Sequence, residues 1–170
     1  MSNVDGFEEL VRMHIVQLRD KDAAPVNWVA RQKAWHEAMD RLLDEIERWL
    51  SPLIEKKLLE FVRYSESLNE QYLGDYQING GIISVENQEM RLKPRGSLVV
   101  AAYGRCDLIG PKAGFTIVLD FEDEKKRNSS DLSEAVWFVV DPKNRAKLKR
   151  FTKEAFEEIF AIAFGMDGDS

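Results

Sequence analysis

Cys106 is the only cysteine in a chain of 170 residues. One thiol cannot close an internal disulfide, so the sequence points to a reducing, cytoplasmic compartment. Histidine is nearly as scarce, with only His14 and His36 available for proton or metal chemistry. No apolar stretch approaches the ~18 residues needed to span a bilayer. The opening residues Met1-Ser2-Asn3-Val4-Asp5 lack the basic flank and apolar run of a signal peptide. No membrane association is therefore expected. There is no internal repeat and no low-complexity segment. Cations are outnumbered, 24 Lys and Arg against 30 Asp and Glu, for a formal net charge of -6. That balance argues against general nucleic-acid binding, because neutralising phosphates needs clustered Lys and Arg.

Several catalytic devices are also missing. Arg95-Gly96-Ser97-Leu98-Val99 lacks the second glycine of a nucleophile elbow. Gly80-Gly81 and the Gly110–Gly114 stretch lack the Lys-Ser/Thr pair of a phosphate loop and read as hairpin turns. His36 and Asp40 share a helical face at i,i+4, but a catalytic zinc needs three protein ligands, so no metal is expected. Cys106 would need a neighbouring histidine to act as a nucleophile, and none is near it in sequence. It reads instead as a small core residue. No cofactor motif is present and none is expected.

What is there is a globular composition, 44% hydrophobic and 32% charged. The length fits one domain of roughly 100–200 residues. Phe7, Leu10, Val11, His14, Ile15 and Leu18 recur at helical spacing. A longer helix is predicted from about Asn27 to Leu50, with Trp28, Trp35, Leu42 and Trp49 at intervals of seven, extending past Ser51-Pro52 to about Leu59. The stretch from Phe61 to Tyr72 is ambiguous. Strand signals then dominate. Asn79-Gly80-Gly81 reads as a turn between two strands. Leu98–Tyr103, Phe115–Phe121 and Ala135–Val140 read as buried strands. Thr152 caps a last helix, with Phe151 and Phe156 at staple positions and Gly165 as the stop. Its residues Phe156, Ile159, Phe160 and Phe164 are expected to face the sheet. The whole predicts a single α+β domain. Residues 1–60 form a helical arm, 72–141 a mainly antiparallel sheet of about five or six strands, and 152–165 a C-terminal helix packed on it.

Gly104-Arg105-Cys106-Asp107-Leu108, followed by Ile117-Val118-Leu119-Asp120-Phe121-Glu122, locally resembles the core of the PD-(D/E)xK nucleases. The resemblance covers about twenty residues. It implies a divalent metal held between Asp107 and Asp120. The family's water-activating lysine falls at Glu122, so Lys125 or Lys126 would have to replace it. The alternative is that Asp107 caps a turn and Asp120 faces solvent.

Two further features suggest partners. The tryptophan stripe Trp28, Trp35 and Trp49 can pack on its own sheet or at an interface, since indoles are enriched at both. A homodimer with the long helix contributing is one expectation. Lys143, Arg145, Lys147, Lys149 and Arg150 crowd into eight residues and, with Lys125-Lys126-Arg127, can form a basic patch. They can equally form a solvated connection. The favoured expectation is a small non-enzymatic binding or regulatory protein with a protein partner. A divergent metal-dependent nuclease or hydrolase using Asp107 and Asp120, and a small-molecule sensor, are the alternatives.

Overall fold

A computed structural model describes residues 3–19, 26–99 and 102–166. Helix α1 (Asn3–Arg19) and helix α2 (Trp28–Glu55) come first. Seven strands follow: β1 (Glu60–Glu70), β2 (Gly74–Val85), β3 (Gln88–Gly96), β4 (Gly104–Ile109), β5 (Gly114–Asp120), β6 (Val136–Asp141) and β7 (Asn144–Arg150). A short 3-10 turn, Glu124–Lys126, precedes β6, and helix α3 (Lys153–Phe164) closes the chain. The strands make one sheet in sequence order, each antiparallel to the next. This is the expected α+β class, with seven strands in place of five or six.

Three strands lie outside the expected set: β1 and β7 at the edges, and β4 between β3 and β5. The helical arm ends at Glu55, and β1 begins at Glu60 and takes up most of the ambiguous stretch from Phe61 to Tyr72. The sheet therefore runs from 60 to 150 rather than 72 to 141. At the far edge, the lysine-rich segment expected as a connection is β7. An edge strand tolerates lysines because its outer side has no ladder to join, and the charges repel further pairing.

Asn79-Gly80-Gly81 is not a turn; it lies within β2, and its residues pair with Ser65, Tyr64 and Arg63 of β1. The glycines are there for close approach. A Cβ on Gly80 would sit 2.6 Å from the Tyr64 ring, and one on Gly81 would sit 2.7 Å from the Phe61 ring. The chain reverses instead at Tyr72 and Glu86, both with positive φ. Ile78 and Ile83 are both buried although they stand at i and i+5, an odd offset. A flat strand would put them on opposite faces, so β2 changes its buried face across the glycine pair.

Leu98–Tyr103 is not a strand either. It joins β3 to β4 and carries a single bridge between Val99 and Ala102, with residues 100 and 101 outside the described residues. Its first amides are taken by a side chain, as described below, and so do not enter the ladder.

One face of the sheet holds the core. Leu92, Cys106, Leu108, Ile117 and Leu119 are buried there against Trp35, Met39, Leu42, Leu43 and Ile46 of α2. Helix α2 is capped by Asn27, whose side chain accepts from the Ala30 amide, and it continues through Pro52 for 28 residues. Helix α3 begins at the Thr152 cap and ends at Gly165 in the left-handed conformation, as expected. Phe156, Ile159 and Phe164 are buried beneath it, whereas Phe160 is half-buried. No described helix is long and apolar enough to cross a membrane.

Candidate interaction surface

Directly paired residues of an antiparallel ladder share a face, and successive residues alternate. Leu92 pairs with Leu108, and both are buried toward the helices. Arg91, Lys93 and Arg95 of β3 therefore point the other way, as do Arg105, Asp107 and Ile109 of β4. The outward set continues through Val62 and Tyr64 of β1 and Ile82 of β2. It reaches Thr116 and Val118 of β5, Phe138 and Val140 of β6, and Leu148 of β7. Val62, Ile109 and Leu148 are exposed, and Val118, Phe138 and Val140 are half-buried. This outer face has two halves. Strands β3 and β4 carry four cations against the carboxylates Glu89 and Asp107, and β5 to β7 carry an apolar strip.

The cations are held in place. The Arg91 guanidinium lies 4.9 Å from the centre of the Tyr64 ring. Asp107 accepts from Arg105 Nε at 3.0 Å and from Thr116 Oγ1 at 3.1 Å, and it lies 3.6 Å from Arg95 Nε. One carboxylate thus aligns two arginines on adjacent strands. The alternation Arg91-Leu92-Lys93-Pro94-Arg95 is legible in the sequence as a strand with one basic side. What sequence reasoning missed is that, among the described residues, no helix is packed on that side.

The carboxylates singled out from the nuclease-like stretch do not meet. Asp107 pairs with Thr116, and Asp120 lies four residues beyond it on the same strand. At ~3.3 Å per residue the two are about 13 Å apart along β5. Glu122 is engaged elsewhere, 2.7 Å from Arg150 Nη1. Lys126 pairs with Glu134 at 3.6 Å. Among the described residues, no three His, Cys, Asp or Glu side chains are gathered as a metal site would gather them. Cys106 is fully buried, and burial pushes its thiol pKa well up.

Asp120 accepts a bond from its neighbour's amide, Phe121 N at 2.8 Å, and partial burial raises its pKa from the ordinary carboxylate value. A raised folded-state pKa means that the proton favours folding. That contribution is present at low pH and is lost as pH rises through the raised value. Asp120→Asn keeps an oxygen for Phe121 N–H and never ionises. Its melting temperature is expected to exceed that of the parent at neutral pH, with the difference shrinking as pH falls into the carboxylate range. Thermal melts across pH check this; a variant less stable at neutral pH would reverse the assignment.

The tryptophans are largely spent inside the chain. Trp35 is fully buried and donates to Tyr76 Oη at 3.0 Å, so it offers no surface. Trp49 is half-buried against Phe151 and Phe156. Trp28 stacks on Tyr72 with ring centres 4.8 Å apart. Of the basic cluster, Lys147 is exposed, Lys149 pairs with Glu158 at 3.4 Å, and Arg150 pairs with Glu122. The Arg145 side chain lies outside the described residues. Trp49 and Arg150 do come together. With Arg41, Glu45, Trp137 and Phe151 they line a cleft of about 280 Å³ between α2 and the β6–β7 edge.

A buried polar hub holds the β3–β4 connection. Glu70, the last residue of β1, accepts from Ser97 N at 2.9 Å, Leu98 N at 2.8 Å and the Tyr76 hydroxyl. Gly96, at φ 151°, lets the chain turn there, since a Cβ would lie 2.6 Å from Glu70 Oε1. Arg31 of α2 donates to Ser97 O at 2.6 Å, Tyr103 O at 3.3 Å and Ser129 O at 3.1 Å. Desolvation lowers its pKa to about 10, so it stays charged at neutral pH. Nothing local in the sequence marks Glu70 or Arg31, because their partners are brought together only by the fold. The hub fixes the connection.

No protein-family model matches this chain, and no curated protein and no solved structure matches it either. The class that the fold defines is thus structural: a seven-stranded antiparallel meander with its core between α2, α3 and one face, and with no described helix packed on the other.

Proposed function

We propose that this chain is a non-enzymatic binding or regulatory protein of the cytoplasm that acts through a macromolecular partner, a protein in the first place. The observation that carries the reading is the outer sheet face. A side with exposed Val62, Ile109 and Leu148 beside aligned arginines is the kind of surface that a protein partner covers. Support also comes from the carboxylates. Asp107 is committed to two arginines and Thr116, Asp120 to a backbone amide, and the two stand far apart. A two-carboxylate hydrolase would need them to converge on one ion.

The test has two arms. With Mg²⁺ or Mn²⁺ the melting temperature is expected to stay unchanged, and single- and double-stranded nucleic acid to stay intact. A rise in melting temperature that Asp107→Ala removes, together with cleavage, would replace this reading with the nuclease one. In the second arm, a photo-crosslinker at Lys93 should capture a partner that Arg91→Glu/Arg95→Glu loses while its melting curve is preserved. A partner retained by that variant would place docking elsewhere.

A small-molecule sensor is the second reading, favoured by the cleft with Trp49, Trp137 and Arg41 in its lining. Quenching of indole fluorescence by a bound aromatic anion, lost in Arg41→Ala, would support it.

A further inference from the structure

The cleft between α2 and the β6–β7 edge combines aromatic walls with polar groups that the chain leaves unused. Trp49 and Phe151 lie with ring centres 5.7 Å apart, and Trp137 lines the same space. An indole carries one N–H donor, and a buried one usually has a partner. Trp35 follows that rule through Tyr76. Trp49 and Trp137 do not: neither indole N–H has a hydrogen-bond partner among the described residues. Trp137 is only 9% exposed. Its nitrogen is nevertheless not sealed in, because Arg31 Nε is the only fully buried side-chain nitrogen or oxygen without a partner among the described residues. The donor therefore reaches open space, and the cleft is the space that Trp137 lines. The charged groups divide in the same way. Arg150 is taken by Glu122 at 2.7 Å, and Glu45 by Arg48. Arg41 makes no ion pair among the described residues. It gives one bond of 3.3 Å to Leu132 O, which leaves most of its N–H groups free.

We infer that this cleft binds a small aromatic monocarboxylate, with its ring among Trp49, Trp137 and Phe151 and its carboxylate on Arg41. This rests on the small-molecule sensor reading and names the ligand class. The unused groups are all donors, so the guest must bring acceptors. A flat guanidinium meets a carboxylate through two parallel bonds, and an indole N–H can donate to a carboxylate oxygen. One uncompensated cation matches one negative charge. A dianion would bring a second charge toward Glu45 with no second cation to meet it, because Arg150 is already neutralised. The ring follows from the walls, since aromatic guests stack on or meet indole and phenyl groups edge to face. The volume of about 280 Å³ stands at the low end of ligand sites, roughly 300–1,000 Å³, and suits one ring with a short acid arm. Arg41 and Trp49 come from α2, and Trp137 from β6, so a bound ligand bridges the helix and the sheet edge.

The test is a proton–nitrogen correlation spectrum of the indole N–H groups of the full chain, assigned with single Trp→Phe variants. It is titrated with phenylacetate, with the neutral phenylacetamide, and with phenylmalonate, which adds a second carboxylate beside the same ring. Phenylacetate is expected to shift the Trp49 and Trp137 signals, saturating at millimolar concentration or below. Trp35, bonded to Tyr76, and Trp28, stacked on Tyr72, should stay in place. Phenylacetamide and phenylmalonate should each bind about tenfold more weakly or worse, as should phenylacetate to Arg41→Ala, since a hydrogen bond to a charged group is the strong kind. Arg41→Lys keeps the charge without the fork and should lose less. The amide asks the same question as the variants without altering the protein. Equal binding of acid and amide at the two signals overturns the proposal and leaves the cleft a site for neutral ligands, with the sensor reading standing. Tighter binding of phenylmalonate, or undiminished binding to Arg41→Ala, also overturns it. So do shifts at Trp28 or Trp35 in place of Trp49 and Trp137, which would put the ligand elsewhere. No shift with any of the three compounds removes the proposal and the sensor reading together.

Discussion

Glu70→Ala is expected to destabilise the protein by about 2–4 kcal/mol, because buried donors left without a partner cost roughly 1–3 kcal/mol each. Four donors converge on this carboxylate: the amides of Ser97 and Leu98, the Ser97 hydroxyl at 3.4 Å and the Tyr76 hydroxyl. Ser97 is fully buried, so water cannot replace the lost acceptor there. The charge matters as well. Arg31 is buried close by, its guanidinium the only buried cation among the described residues, and the nearby Glu70 carboxylate favours the charged form of that guanidinium. Glu70→Gln keeps one oxygen acceptor and should lose about half as much. Urea unfolding measures both. A loss below roughly 1 kcal/mol for the alanine variant would mean that the β3–β4 connection is held by Arg31 alone.

Trp35→Ala should cost about 3–5 kcal/mol, the usual range for emptying a large buried aromatic site. The indole is fully buried in the N-terminal third of α2 and packs near Trp137, with ring centres 6.2 Å apart. A Cβ on Gly104 would lie 2.4 Å from the ring, so the strand backbone itself forms one wall of the site. Little can collapse into the space from that side, which places the expected cost toward the upper end. Trp35 and Glu70 also share Tyr76, whose hydroxyl accepts from the indole and donates to the carboxylate. Trp35→Phe combined with Glu70→Gln should therefore depart from additivity. Additive losses would show that Tyr76 does not couple the two sites.

Most of the element order was legible because its signals are local. The caps at Asn27 and Thr152, the stop at Gly165 and the apolar periodicities of α2 and α3 all act over one or two turns of chain. The edge strands were less so. Strand β1 alternates weakly, with Ser65, Ser67 and Asn69 between Glu66, Leu68 and Glu70. Its place in the sheet comes from a long pairing with β2 rather than from its own pattern. The glycine pair Gly80-Gly81 has the composition of a turn. It is a crossing point because the rings of Tyr64 and Phe61 need the room, and those rings arrive from another strand.

The candidate site divides in the same way. Asp107 and Asp120 are where the strand pattern puts them, on one face of β4 and β5. Their distance from each other follows from the register, which no stretch of sequence encodes alone. The tryptophan stripe was legible as a stripe, and the sheet determined how much of it remained outside. By itself the sequence determined the α+β class, the long capped helix, the C-terminal helix and the basic alternation of β3, since each depends on neighbours within about eight residues. Only the tertiary structure decided that both large helices lie on one side of the sheet, that Glu70 and Arg31 clamp a connection far away in sequence, and that no described helix packs on the other side. Those outcomes depend on pairing between distant segments, where the free energy lies in packing and buried hydrogen bonds that no local pattern records.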